Sequence, residues 1–286
     1  YAPILVLTAQ ADRNTRLRAL AKGARDYIAK PFDITEVSQR ISNMLEIRLL
    51  HNQVRDQNLI LEEKVRLRTH ELNETQQEAV LRLGRAAEYR DNETGMHVIR
   101  MSRLSARLAK EINLTDEECQ LMLQASPMHD VGKIGIPDEI LLKPGKLNEE
   151  EWVIMRKHPE IGSEILSGSN SAIMQMAESI ALTHQERWDG SGYPRGLKGE
   201  EIPLAGRIVA ICDVFDALTS KRYYKEAYSV EKSMQIIEQG SGKDFEPILV
   251  DAFKRILPEM IRIVQELPDD ETENVLKVYR KNASTS

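Results

Sequence analysis

Four of the six histidines stand in settings that suit metal chemistry. His97 follows Glu93 by four residues, so on a helix both project from one face. His129 is joined to Asp130, and Gly132-Lys133 follow. His158 opens the run HPEIG, where a helical pattern begins, and His184 closes the apolar run IALTH. Asp213 interrupts the apolar run RIVAICDVF. A carboxylate is costly to bury there unless it is paired or binds a metal. Imidazoles with carboxylates select a first-row metal such as Fe, Mn, Ni, Co or Zn. Asp130 and Asp213 each bring two oxygens, enough to bridge two ions. Two ions about 3.5–4 Å apart grip both oxygens of a phosphate and lower the pKa of bound water from about 15.7 to about 7. The chemistry implied is hydrolysis of a phosphoester at neutral pH.

Each piece alone has an ordinary explanation. A histidine at a helix edge is more often surface or core than ligand, and the Glu93/His97 pair suits a helix-surface hydrogen bond. It is the ordered set that resists a bland reading. His51 and His70 lie on a charged stretch and read as solvated.

The elements that must hold these residues are mostly helical. PILVLT at 3–8 reads as a strand buried on both faces, and DYIAKPF at 26–32 as a second. Helical spacing follows each, through Leu17, Leu20 and Ala21 and then Ile34, Val37, Ile41, Met44 and Leu45. Residues 1–46 are thus half of a parallel α/β sheet, too short to bury a core alone. From 47 to 84, glycine and proline vanish until Gly84, and Val54, Leu61, Val65, Leu72 and Ala79 fall on heptad positions with Asn58, Arg68 and Thr75 in the same seam. That pattern predicts a long helix of roughly 55 Å, paired with a second copy as a parallel coiled coil. Residues 85–268 read as a helical domain. Thr115 to Glu118 form a capping box, Pro127 ends a helix just before His129, Pro247 begins a helix and Pro258 interrupts it. Loops fall at 143–147, 167–171, 189–196 and 240–242, and 269–286 is a polar tail.

Composition excludes several classes. Aromatics are 5% of 286 residues, which leans away from an aromatic-rich sandwich. Net charge is −6 with signs interleaved, so no nucleic-acid polymer is an expected partner. An anionic substrate would need placed cations or metals. No apolar run approaches the ~20 residues of a membrane span, and the two cysteines show no disulfide spacing, so the cytoplasm is the expected compartment. The chain opens at Tyr1 inside strand-like sequence, as a piece of a longer protein would.

RDNETGMH (90–97), HDVGKIGIPDEILLKPGKL (129–147), HPEIG (158–162), HQERWDGSGYPRGL (184–197) and DVFDALTSKRYYK (213–225) resemble, in order, the motifs of the HD-GYP subgroup of HD-domain phosphohydrolases. The resemblance covers about residues 85–255. It implies a mainly helical cytoplasmic phosphodiesterase that hydrolyses cyclic di-GMP to pGpG and in some members on to GMP. It further implies that His97, His129, Asp130, His158, His184 and Asp213 hold two divalent metals, with Asp130 between them, and that Glu93 is the extra ligand of members with three. Lys133 matches the lysine that protonates the leaving oxygen. Tyr193, Arg222 and Lys225 match residues that hold guanine or phosphate, and Asp91 is a more remote member of the site.

Residues 1–46 resemble the second half of a response-regulator receiver domain, with Thr8, Tyr27 and Lys30-Pro31 at its sensing positions. A sensor kinase is the implied partner of a full receiver, whose phospho-acceptor would lie earlier than this chain begins. The expected architecture is therefore mainly α: an all-helical HD-type domain preceded by a long coiled-coil helix and a partial α/β receiver. Gln185 departs from the pattern, since family members carry a second histidine there. A neutral amide is a poorer ligand than imidazole, which predicts two metals rather than three. Glu246 stands where aspartate is usual. Alternatives are the same chemistry on pGpG or cyclic GMP-AMP, or a nucleotide-binding scaffold without turnover.

Overall fold

The computed structural model describes residues 2–9, 13–91, 95–220 and 227–268. Glu93, Arg222, Lys225 and the polar tail 269–286 lie outside these residues. The chain divides into two compact units, Tyr1–Asn73 and Glu74–Ser286.

In the first unit, strand β1 (Leu5–Thr8), helix α1 (Arg13–Ala21) and strand β2 (Asp26–Ala29) precede a long helix, α2 (Ile34–Arg90). The strands run parallel, with Leu5 opposite Asp26 and Thr8 opposite Ala29. Arg25 N–H donates to the Ile4 carbonyl at 2.8 Å, and Lys30 N–H to that of Thr8 at 2.8 Å, so the pairing extends past both ends. The strand at 3–8 is not buried on both faces as its composition predicts: Ile4 and Leu7 are exposed, and in this sheet only Ile28 is buried. Two strands give each only one hydrogen-bonded neighbour; α1 packs against β2, and Arg40 of α2 pairs with Asp26 of β2 at 2.6 Å. The helices expected over 34–45 and 47–84 are one continuous helix of 57 residues. Its heptad seam is uncovered in the single chain, and Leu72 is 69% exposed. Val80, Leu81, Gly84, Ala87 and Glu88 then turn buried, so the end of α2 is part of the second unit's core.

That unit is helical throughout: α3 (Gly95–Glu111), α4 (Asp116–Ala125), α5 (Asp138–Leu141), α6 (Glu149–Met155), α7 (His158–Leu166), α8 (Ala172–Thr183), α9 (Leu204–Thr219), α10 (Val230–Gln239), α11 (Pro247–Arg255) and α12 (Leu257–Glu266). Helices α3, α4, α8 and α9 pack on one another around Met101, Leu104, Leu108, Met122, Ile180, Ile208, Ile211 and Phe215. The predicted capping box forms: Glu118 N–H donates to Thr115 Oγ1 at 3.2 Å, and Thr115 N–H to Glu118 Oε2 at 2.8 Å. Pro127 sits in a 3-10 turn, Ser126–Met128, that stops α4 just before His129. A second such turn, Val131–Gly135, presses against α7. A Cβ on Gly132 would lie 1.9 Å from the His158 carbonyl oxygen and 2.4 Å from Gly162 N. The absence of a side chain there is what lets the Asp130 turn reach the His158 helix. No described helix is long and apolar enough to cross a membrane.

Candidate metal centre

Helix termini and turns deliver the chemical residues to one place. His97 comes from the first turn of α3, His129 and Asp130 from between the two 3-10 turns, His158 from the start of α7 and His184 from the end of α8. All five are buried. The His97 and His129 rings are 5.5 Å apart between centroids, His129 and His184 5.3 Å, and His158 and His184 5.4 Å.

Asp130 lies at the centre with its oxygens divided between two sides. Oδ1 is 3.2 Å from His184 Nε2 and 3.3 Å from His158 Nε2. Oδ2 is 2.8 Å from Lys133 Nζ and 3.5 Å from His129 Nε2. Each ring is oriented by its other nitrogen. Nδ1–H of His129 donates to the Ser126 carbonyl at 3.1 Å, that of His158 to Met155 at 2.8 Å, and that of His184 to Ala181 at 3.1 Å. His97 Nδ1 instead faces Asp216 Oδ2 at 2.7 Å, and Asp216 is itself held by Arg100 Nε at 2.6 Å and Nη2 at 3.0 Å. A donor bond from Nδ1 leaves the Nε2 lone pair pointing inward, as a metal ligand requires. Nε2 of His129 and of His158 are buried and make no hydrogen bond. Buried polar atoms are normally satisfied, so two orphaned lone pairs facing one carboxylate fit a bound cation.

Two triads of ligand atoms result, Asp130–His158–His184 and Glu88–His97–His129, each with its atoms within 4.8 Å of one another. They constitute a binuclear divalent-metal site. Glu88 was not among the sequence candidates. It sits on the last buried turn of α2, in the run GRAAEY between Arg82 and Arg90, where a glutamate among charged neighbours carries no local signal of burial. Asp213 lies near, its Oδ1 3.7 Å from His97 Nε2, but its side chain is 21% exposed and it belongs to neither triad. Asp216, one helical turn later on α9, was also missed; its contact spans 119 residues of sequence and has no local signature. His51 and His70 are exposed and in neither triad.

The electrostatics match this arrangement. Burial alone would raise the Asp130 carboxyl, but the charge of Lys133, helped by the hydrogen bond with His184, holds it well below the usual carboxylate range. Burial pushes His129 down and His158 down to about 4, so both rings are neutral near pH 7. For His184 burial alone would lower the pKa, but the hydrogen bond and charge of Asp130 together with the charge of Asp213 raise it. Lys133 is further tied to Asp91 Oδ2 at 2.5 Å.

The glycine-rich loop folds over this centre. Glu186 is buried, and its carboxylate accepts N–H bonds from Arg195 at 2.8 Å and Leu197 at 3.1 Å. The Gln185 carbonyl accepts from Tyr193 N–H at 3.3 Å. A Cβ on Gly192 would lie 2.3 Å from Arg187 N, so only glycine allows the fold-back. Tyr193 thereby stands edge-on to His158, centroids 6.1 Å apart at 85°. Burial and Asp130 push its hydroxyl up to about 12. Glu246 pairs with Arg207 at 2.6 Å, and Arg207 lies against Trp188 beside the loop.

The HD domain family profile matches residues 60–249. The cyclic di-GMP phosphodiesterase response regulator RpfG of Xanthomonas campestris pv. campestris is 44% identical over 253 residues, 88% of this chain and 67% of that protein. This chain belongs to the HD-GYP family. As an HD-superfamily phosphohydrolase, the HD-GYP chain is expected to carry the ligand-rich buried centre just described. A 3'3'-cGAMP-specific phosphodiesterase 2 of Vibrio cholerae is 49% identical over 199 residues, covering 70% of this chain and 38% of that protein. The crystal structure of a cyclic GMP-AMP specific phosphodiesterase from V. cholerae shares the fold at a TM-score of 0.51 and 19% identity, over 67% of this chain and 53% of that one.

Proposed function

We propose that this chain hydrolyses cyclic di-GMP to linear pGpG. The observation that carries the reading is the double triad around Asp130 in a chain 44% identical to a cyclic di-GMP phosphodiesterase over most of its length. Two divalent ions held there, of the Fe, Mn, Ni, Co or Zn class, would supply Lewis acidity and an activated water. Asp130, with an oxygen turned to each side, keeps the two triads in one charge-balanced unit. Lys133, 14% exposed and beside Asp130, gives its proton to the departing 3' oxygen as water adds to phosphorus and the P–O3' bond breaks. Asp91 holds Lys133 in place. Asp213 joins His97 on the more open side, and Tyr193 closes the centre against solvent and offers a face and a hydroxyl to the nucleotide. Glu93, Arg222 and Lys225 complete the proposed set of ligand and substrate residues.

Turnover of cyclic di-GMP by metal-loaded protein, with metal content measured on the same sample, tests this. Wild-type turnover abolished in Asp130→Ala is expected; equal rates in both would refute it. Cyclic GMP-AMP is the second reading, favoured by the 49% identity to a cGAMP-specific enzyme. A side-by-side comparison of cyclic di-GMP, cyclic GMP-AMP and pGpG separates them.

The first unit is proposed as the C-terminal half of a receiver domain, over residues 1–46, feeding a coiled-coil helix to a catalytic domain over 85–268. The parallel β1–β2 pair and the exposed seam of Val54, Leu61, Val65 and Leu72 support a homodimer driven by a sensor kinase. Two free buried cysteines suit the cytoplasm.

A further inference from the structure

We propose that Arg156 binds the second, non-scissile phosphate of the cyclic dinucleotide; this rests on the substrate reading above. Arg156 caps the C-terminus of α6, two residues before the metal-facing His158. Its guanidinium carbon lies 5.5 Å from the Tyr193 ring centroid and 5.8 Å from that of Trp152, one helical turn back. Tyr193 in turn stands edge-on to His158, whose Nε2 is 3.3 Å from Asp130. The array Trp152, Arg156, Tyr193 and His158 therefore leads from the protein surface to the metal centre. Trp152 is 43% exposed, and Arg156 is exposed as well, so the outer end is open to a ligand.

Among the described residues, Arg156 forms no ion pair with a carboxylate. Other arginines of this unit do: Arg90, Arg100, Arg107, Arg207 and Arg255 all pair with acids. A guanidinium that rests on aromatic rings keeps its N–H edge for a partner in the plane, and that edge matches two oxygens of a phosphate. The scissile phosphate belongs at Asp130 and its histidines. Arg156 is exposed whereas Asp130 and its histidines are buried, so its place is the outer rim of the site. A cyclic dinucleotide carries a second phosphodiester in the same macrocycle, and Arg156 is placed to take it. A simple diester has no group to reach it.

The test compares whole-chain wild type, Arg156→Ala and Arg156→Lys on cyclic di-GMP and on bis(4-nitrophenyl) phosphate, with bound metal measured. A charged hydrogen bond of this kind predicts a KM for cyclic di-GMP raised roughly ten- to hundred-fold in Arg156→Ala. The kcat should stay within about twofold, and metal content and bis(4-nitrophenyl) phosphate turnover should be unchanged. Arg156→Lys should recover part of the loss, because an ammonium restores the charge and not the fork. An unchanged KM, or an equal loss on both diesters, overturns the assignment of Arg156 while leaving the substrate reading standing. Wild type that cleaves bis(4-nitrophenyl) phosphate and leaves cyclic di-GMP intact overturns the substrate reading, and this inference with it.

Discussion

Removing the Asp216 carboxylate should damage both the fold and the metal site, and the two losses are separable. Asp216 is fully buried, with Arg100 Nε 2.6 Å from Oδ1 and both Arg100 Nη2 and His97 Nδ1 on Oδ2, at 3.0 and 2.7 Å. Burial alone would raise its pKa, and the His97 hydrogen bond with the Arg100 charge lowers it instead, so the group is a carboxylate in the folded protein. In Asp216→Ala, Arg100 keeps its buried position and loses this counter-charge. Breaking a buried pair from one side costs about 3–5 kcal/mol. For a unit of this size each kcal/mol is worth about 2–4 °C, so calorimetry should show a melting point lower by about 6–20 °C. His97 simultaneously loses the acceptor that fixes its ring, and such outer partners are worth about 10–100-fold in metal affinity. Competition against a chromophoric chelator measures that. The double change Arg100→Met with Asp216→Leu separates the effects: removing both charges together should restore most of the stability, while metal affinity stays low. A melting point for Asp216→Ala within about 2 °C of wild type, or wild-type metal affinity in the double variant, would refute the reasoning.

Gly132→Ala should destabilise by about 1–3 kcal/mol or more, because its Cβ would meet the His158 carbonyl at 1.9 Å and backbone cannot rotate away; a urea midpoint equal to wild type would contradict this. Gln185→His should raise bound metal from two ions per chain toward three, read by elemental analysis; an unchanged count would show that position 185 does not limit the stoichiometry. Metal binding near pH 6.5 should release a proton from His184, whose folded pKa is raised, and none from His158, whose pKa is pushed down to about 4. Affinity should therefore weaken as pH falls below the His184 value, and calorimetry in two buffers of different ionisation enthalpy gives the proton count; zero release at pH 6 would exclude a protonated His184.

The helical character of the second unit was legible because its signals are local. Thr115 with Glu118, Pro127 and Pro247 each fix a helix end within one turn of backbone. The site was legible in part for the same reason: His129-Asp130 and HPEIG are short runs whose residues point together wherever the turns lie. The strand at 3–8 misled, because an apolar run reports only that burial is possible. With β2 as its one hydrogen-bonded neighbour among the described residues, Leu7 remains exposed.

By itself the sequence determined the residue types, the helix ends and the order of ligands along the chain. It also determined that Gly132 and Gly192 have no side chain to block a close approach. Only the tertiary structure decided which atoms meet. It brought Glu88 beside His97 and His129, gave His97 an aspartate 119 residues away, and turned one oxygen of Asp130 toward His158 and His184 and the other toward Lys133. The reason is that hydrogen bonding and packing within a helix depend on neighbours three or four residues away. Metal ligation and charge pairing depend on distances across the core, which no spacing in the chain encodes.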